Sequence, residues 1–190
     1  QRALANNSAC YTEKPDMGIF MDEWKSLYES KSGERGIFNR ESAVKVSEQS
    51  GRRNTTDFDF GTNPCSEIIL RNREFCNLSE VIVRSGDSLA DLLEKVDAAT
   101  IFGTLQSTLT DFRYLRKIWK DNCEEERLLG VSLTGIMDHP VLNGSHGDKP
   151  LTEWLTAMRE HAILVNKKWA KQLKIPVSAA ITCVKPSGTV

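Results

Sequence analysis

An excess of charge of either sign is the first thing this chain lacks: 25 Lys and Arg stand against 26 Asp and Glu over 190 residues, a formal net charge of -1. No whole-chain field therefore draws in a polyanion such as DNA, and any contact with phosphate has to be built locally. Cysteine is scarce and odd in number, five residues without dense even spacing. That excludes a secreted disulfide scaffold and indicates a reducing, cytosolic setting. There is no Cys-x-x-Cys pair, and His139, His146 and His161 lack metal-ligand spacing, so zinc ranks low and no metal site is expected. No apolar stretch reaches the length of a membrane span, the opening residues hold no apolar signal core, and no repeat or low-complexity segment occurs. What is present, 39% hydrophobic and 27% charged residues, is ordinary composition for a soluble globular chain. Both ends read as cuts, because the chain opens at Gln1 without Met and stops within a turn motif at Val190. A fragment is expected, inactive in isolation and prone to aggregate at unpaired strand edges.

Periodicity then divides the chain. Met17, Phe20, Met21, Trp24, Leu27 and Tyr28 recur at helical steps between Pro15 and Ser30, predicting an amphipathic helix that the segment 31–36 ends. A shorter helix is predicted from Asn39 to about Gln49, and the polar stretch from Arg52 to Thr62 reads as an ordered loop. The runs from Glu67 to Leu70 and from Val81 to Arg84 read as short buried strands around a turn near Asn72. Asp87-Ser88 opens what reads as the longest helical stretch, through Leu105 and resuming at Leu115, Ile118 and Trp119, with Gly103 as a bend. Leu128 to Met137 reads as a strand or strand-to-helix unit, and a loop through Pro140, Asn143-Gly144 and Gly147 follows. The stripe from Leu151 to Leu173 predicts a further helix, and Pro176 to Val184 a strand entering the terminal turn. Helices alternating with short buried strands indicate an α/β architecture with largely parallel pairing.

Chemistry concentrates in Asn63-Pro64-Cys65-Ser66-Glu67, followed by Phe75-Cys76-Asn77-Leu78. An amide, a thiol and a carboxylate lie at alternate positions, and a second thiol comes soon after. On an extended backbone such positions share a face, so Asn63, Cys65 and Glu67 are expected to point into one cavity, with Pro64 stiffening the segment. Taken singly, each residue has an ordinary structural reading: Asn-Pro as a turn, a lone Cys as a small apolar filler.

The run Asn-Pro-Cys-x-Glu-Ile with Cys-Asn-Leu after it resembles the active-site segment of ribonucleotide reductase large chains. Ser32-Gly33-Glu34-Arg35-Gly36-Ile37-Phe38-Asn39-Arg40 resembles the monomeric, adenosylcobalamin-dependent members that act on ribonucleoside triphosphates. The runs Phe112 to Lys117 and Glu124 to Gly130 extend the resemblance over essentially the whole chain. It implies that residues 1–190 are a single incomplete segment of a ten-stranded α/β barrel, with a central finger loop near 61–67. It also implies reduction of ribonucleoside triphosphates to 2'-deoxyribonucleotides for DNA synthesis. In that scheme Cys65 becomes a thiyl radical that removes the 3' hydrogen of the ribose, Glu67 accepts the 3' hydroxyl proton, and Asn63 hydrogen-bonds the sugar hydroxyls. Cys76 is one half of the redox pair that reduces the 2' position, its partner belonging upstream of Gln1. Pro186, Ser187, Gly188 and Thr189 resemble the turn that grips the substrate phosphates, and Arg2, Asn6, Asn7 and Ser8 the specificity loop region. Adenosylcobalamin is the implied cofactor; a nucleotide effector and a thioredoxin-like reductant are the implied partners, with no direct nucleic acid and a monomeric state. Cys10, Cys123 and Cys183 match no catalytic position and read as buried or surface thiols.

The residue types suit this chemistry. A cysteine S–H and an activated ribose C–H are of comparable strength, so a hydrogen atom passes between them if both are positioned and water is kept out. A carboxylate that takes the 3' hydroxyl proton stabilises the neighbouring radical. A second thiol supplies electrons and ends in a disulfide that an external dithiol reopens. Two other readings stand beside this one: a diphosphate reductase whose radical comes from a metal-bearing partner subunit, and a non-catalytic nucleotide-binding module.

Overall fold

The computed structural model describes residues 8–31, 36–49, 51, 53–57 and 59–186, and the chain divides into two compact units, 1–72 and 73–190. In the first unit, β1 (Ala9–Tyr11) pairs in parallel with β2 (Ile37–Asn39), Ala9 opposite Ile37. Three residues each are too few for a period of two to show in the sequence, and neither strand was expected. Helix α1 (Met17–Ser30) starts at Asp16, whose carboxylate accepts the N–H groups of Gly18 at 2.8 Å and Ile19 at 3.4 Å. Such a cap satisfies donors that the first turn leaves over. The amphipathic helix is where periodicity placed it, yet none of its side chains is buried. Helix α2 (Arg40–Glu48) is capped by Asn39, which accepts from Ser42 N–H at 2.9 Å. Strand β3 (Phe60–Thr62) runs antiparallel to β4 (Ile69–Arg71), Phe60 opposite Arg71 and Thr62 opposite Ile69.

In the second unit, β5 (Asn77–Ile82) lies parallel to β6 (Leu129–Thr134), in step from Asn77 opposite Leu129 to Ile82 opposite Thr134. Every residue of β6 is buried, as parallel pairing covered on both faces requires. Helices α3 (Leu89–Gln106) and α5 (Asp148–Leu173) build the core with it, through Leu92, Val96, Met158 and Ala162 against Val131 and Leu133. Each large aliphatic side chain buried this way contributes roughly 1.5–3 kcal/mol. Between α3 and β6 in the chain comes α4 (Lys117–Glu126). Gly135 closes β6 with φ of 77°, where a Cβ would stand 2.5 Å from the Val83 carbonyl oxygen. Only glycine fits there.

The expected α/β character holds. Among the described residues, two of the three two-stranded sheets are parallel, and a bridge between Val131 and Thr182 adds a third parallel contact on the far side of β6 from β5. Several element expectations need correction. The segment read as loop to Thr62 ends in β3, and the strand read from Glu67 begins at Ile69. The longest helix is α5, with 26 residues, not α3 with 18. Helix α3 runs unbroken through Gly103 and stops at Gln106, where the Ser107 and Thr108 hydroxyls bond back to the Thr104 and Leu105 carbonyls and close the last turn. Strand β5 begins at Asn77, ahead of the apolar run, because its polar residues find partners: Ser79 Oγ donates to the Ala99 carbonyl at 3.0 Å. The strand expected from Pro176 to Val184 is irregular. Ser178 N–H goes to Asn166 Oδ1 at 3.0 Å and Ala179 N–H to the Glu126 carbonyl at 2.8 Å, so these donors are spent outside a ladder. Among the described residues no helix is long and apolar enough to cross a membrane.

A polar seam crosses this core. Asn166, fully buried, donates to Thr104 Oγ1 at 3.0 Å and Ser178 Oγ at 2.9 Å while accepting Ser178 N–H. Asn166→Ala leaves the Ser178 N–H and hydroxyl without this partner in a dry interior, while Thr104 Oγ1 keeps its 2.7 Å bond to the Thr100 carbonyl, and we expect urea titration to show a loss of roughly 3 kcal/mol. A gain in stability would mean that the seam is not satisfied as described.

At the start of α3, the Asp87 carboxylate accepts Arg84 N–H at 2.8 Å and pairs with Lys95, with its side chain 12% exposed. The Lys95 ammonium, and then the Arg84 amide, hold Asp87 below the ordinary carboxylate value of 3.8. A depressed folded-state pKa means that the unfolded chain binds the proton more readily. This contribution is therefore complete well above pH 3.8 and is lost as pH falls through the folded pKa. Unfolding titrations at pH 7 and pH 3 should show Asp87→Asn costing about 1 kcal/mol at pH 7 and less at pH 3.

Candidate active site

Residues 63–68 form the tip of the β3–β4 hairpin. The Asn63 carbonyl accepts Ser66 N–H at 3.0 Å, closing a turn with Asn63 first and Pro64 second, positions that suit a helpful Asn and the fixed φ of proline. Ser66 then takes the left-handed conformation at φ of 64°. Asn63 ties both sides of the tip together: its N–H donates to the Ile68 carbonyl at 3.2 Å, and its Oδ1 accepts Ile68 N–H at 3.0 Å. The hydroxyls of Thr62 and Ser66 meet at 3.3 Å.

Two arginines hold the base. Arg40 Nε donates to the Phe60 carbonyl at 2.9 Å; Arg53 donates to the Ile69 carbonyl at 3.0 Å and lies 4.7 Å over the Phe60 ring. Phe60 is itself completely buried. The tip thus stands on a fixed support.

The extended, single-faced arrangement expected for Asn63, Cys65 and Glu67 does not form. Pro64 and the left-handed Ser66 reverse the chain within the triplet, so alternate residues do not share a pleat. Here the ordinary reading of Asn-Pro as a turn is the correct one. The three residues nevertheless stay within one short tip. Cys65 is exposed, Asn63 is half-buried, and Glu67 is half-buried with its Oε2 out of reach of solvent.

Cys76 belongs to the second unit, half-buried between two anchors. Before it, Phe75 N–H donates to Cys123 Sγ at 3.3 Å. After it, both the backbone N–H and the side-chain Nδ2 of Asn77 donate to the Leu128 carbonyl at 2.9 Å. The Asn of the Cys-Asn-Leu motif therefore starts a strand. Pro186 is exposed, following Lys185, whose N–H donates to Ser132 Oγ at 2.8 Å. Ser187, Gly188 and Thr189 lie outside the described residues, as do Arg2, Asn6 and Asn7. Ser8, the last of that group, is half-buried just ahead of β1.

His139 is a buried core histidine. Its Nδ1 accepts Val141 N–H at 3.2 Å, so the proton sits on Nε2, which donates to the Asp87 carbonyl at 2.9 Å. Among the described residues no three His, Cys, Asp or Glu side chains gather as metal ligands. Sequence reasoning gave no site role to Arg40, Arg53, Asn122 or Cys123, the last of which it read as a buried or surface thiol. Only for the last two was there a signal, their place with Trp119 on one face of α4.

No family model matches the chain. Curated relatives do. The adenosylcobalamin-dependent ribonucleoside-triphosphate reductase of Lactobacillus acidophilus is 33% identical over 154 residues, covering 68% of this chain and 20% of that protein. A probable enzyme of the same name from Dictyostelium discoideum is 31% identical, over 69% of this chain and 16% of its own length. The Lactobacillus gasseri enzyme is 28% identical across the whole of this chain and 28% of its own. The crystal structure of a B12-dependent, class II ribonucleotide reductase superposes with a TM-score of 0.62 at 20% identity, over 96% of this chain and 32% of that one. This chain belongs to the ribonucleotide reductase family. It spans between a sixth and just over a quarter of the reductases it matches in sequence.

Asn63→Ala should leave Ile68 N–H without its side-chain acceptor. We expect a cost of about 1 kcal/mol, read as roughly fivefold faster hydrogen exchange at the Ile68 amide, with the Leu129 amide unchanged. Equal acceleration at both amides would show that Asn63 acts on global stability rather than on the tip.

Proposed function

We propose that this chain carries the radical thiol, the base and one reducing thiol of a reductase that converts ribonucleoside triphosphates to 2'-deoxyribonucleotides. What supports this most is Cys65: an exposed thiol at the apex of a hairpin whose base two arginines hold, with a carboxylate two residues on. A thiol presented on a supported tip can meet a hydrogen-atom acceptor brought from outside the chain, so the residues present fit the cofactor named for the relatives. When bound, adenosylcobalamin supplies the one-electron chemistry that takes the hydrogen atom from the Cys65 thiol.

From there the chain's own groups act. The Cys65 thiyl takes the 3' hydrogen of the ribose, forming S–H and leaving a radical at C3'. Glu67 takes the 3' hydroxyl proton, which eases loss of the 2' hydroxyl. Asn63 Oδ1 is engaged with Ile68 N–H, so its Nδ2 is the donor that faces the sugar oxygens. The 2' hydroxyl leaves as water; Cys76 and a second thiol, which the family carries upstream of the position of Gln1, give two electrons and two protons and become a disulfide. Glu67 returns its proton to the 3' oxygen, and the Cys65 S–H returns its hydrogen to C3', which restores the thiyl. A thioredoxin-like dithiol reopens the disulfide.

The segment from Pro186 to Thr189 holds the triphosphate, and Arg2, Asn6, Asn7 and Ser8 belong to the loop where an effector nucleotide acts. In this reading residues 1–190 form part of a ten-stranded α/β barrel with the Cys65 tip as its finger loop, in a monomeric cytosolic enzyme.

In the full-length protein, Cys65→Ala should lower deoxynucleotide formation on the order of a thousandfold or more, while nucleotide binding by equilibrium titration stays within about twofold. Turnover close to that of the unsubstituted enzyme would refute the assignment.

A further inference from the structure

We propose that one face of α4, formed by Trp119, Asn122 and Cys123, is the positioning surface for the Cys76 thiol, with the Cys123 sulfur as its central contact. The proposal builds on the reading of Cys76 as a reducing thiol. It concerns a cysteine to which the family resemblance gives no role.

Residues three and four apart share a helix face, and each of these three touches the short segment that leads into Cys76. The Trp119 ring stacks on Phe75 with centroids 4.7 Å apart, and Phe112 meets the same ring edge-on at 5.4 Å. Asn122 Nδ2 donates to the Arg73 carbonyl at 3.2 Å. Arg73 is a non-glycine residue at φ of 65°, a conformation that persists where surroundings hold it. Cys123 Sγ accepts Phe75 N–H at 3.3 Å. Asn122 and Cys123 are themselves buried, 3% and 8% exposed, while the Phe75 ring stays partly open to solvent. Beyond Cys76, the Leu128 carbonyl takes both donors of Asn77. The backbone is held on each side of the thiol, by α4 before it and by the residue preceding β6 after it.

Such mounting has a use for a sulfur that cycles between thiol and disulfide. Disulfide formation demands a narrow range of Cα separation and dihedral angle, and a small displacement of a reacting atom lowers the rate steeply. A cysteine suits position 123 because sulfur is both a weak acceptor and an apolar filler. Burial also keeps this third thiol out of exchange with Cys76.

The test uses the full-length protein with Cys123→Ala, Cys123→Ser and, as a control on the solvent side of α4, Lys120→Ala. Three quantities are read: hydrogen exchange at the Phe75 amide, the rate at which Cys76 exchanges with a small aromatic disulfide followed by peptide mass, and kcat with KM for nucleotide reduction. Cys123→Ala should speed Phe75 exchange about fivefold or more and raise the Cys76 rate roughly threefold. It should also lower kcat with KM within about twofold. The Ser variant, which keeps an acceptor, should restore most of each change, and Lys120→Ala should move none. Should Cys123→Ala not fold, Asn122→Ala releases the Arg73 carbonyl with the sulfur in place and should raise the Cys76 rate likewise. The proposal is overturned if Cys76 and Phe75 respond as in the unsubstituted protein, or if the Leu129 and Val131 amides accelerate with Phe75, which marks a plain loss of stability. Absence of nucleotide reduction in the unsubstituted full-length protein, with the Phe75 and Cys76 shifts intact, would count against the reductase reading and not against the positioning role.

Discussion

The complete burial of β6 is the constraint on which the second unit depends. A strand with no exposed residue needs cover on both faces and partners on both edges. Helices α3 and α5 supply cover, β5 supplies one edge in unbroken parallel register, and the segment through Thr182 supplies the other through scattered hydrogen bonds. The register has a chemical consequence. Because Asn77 lies opposite Leu129 and is fixed to the Leu128 carbonyl, Cys76 is left as the residue immediately before the sheet begins. A thiol at that point has an ordered backbone without being sealed inside the strand.

The two thiols proposed to carry the chemistry are mounted in different ways, and each mounting suits the role proposed for it. Cys65 is exposed at a turn whose rigidity comes from Asn63 bonding across the tip and from Arg40 and Arg53 at its base. A radical relay requires a sulfur that can be approached, on a support that does not wander. Cys76 is half-buried beside a helix face that touches its preceding backbone through an aromatic stack, an amide and a sulfur. Sulfur exchange requires a sulfur whose geometry is reproduced after each cycle.

Part of this was legible before any fold was known. Asp16, Asn39 and Ser88 mark helix starts through the chemistry of their own side chains with nearby N–H groups, a local effect that neighbouring residues reveal. The stripe along α5 was legible because burial repeats with the helical period. The hairpin tip was misjudged for a physical reason: alternation along an extended strand and a turn closed by Asn-Pro predict opposite directions for the same side chains. Only the cross-strand pairing of Phe60 with Arg71 and Thr62 with Ile69 selects the turn.

The order of residue types by itself determined the chemistry available to this protein: a thiol, a carboxylate and an amide close together, a second thiol soon after, and helices and strands in α/β alternation. Bond strengths, functional-group chemistry and local capping belong to side chains and their near neighbours in the chain, so they can be read without a fold. Tertiary structure decided which of those groups are presented and which are employed as fixings. Cys65 and Cys123 are the same residue type, yet one is exposed at a turn and the other buried against a backbone amide. That distinction depends on contacts between residues far apart in the chain, here the 48 positions that separate Phe75 from Cys123, and no local pattern carries it.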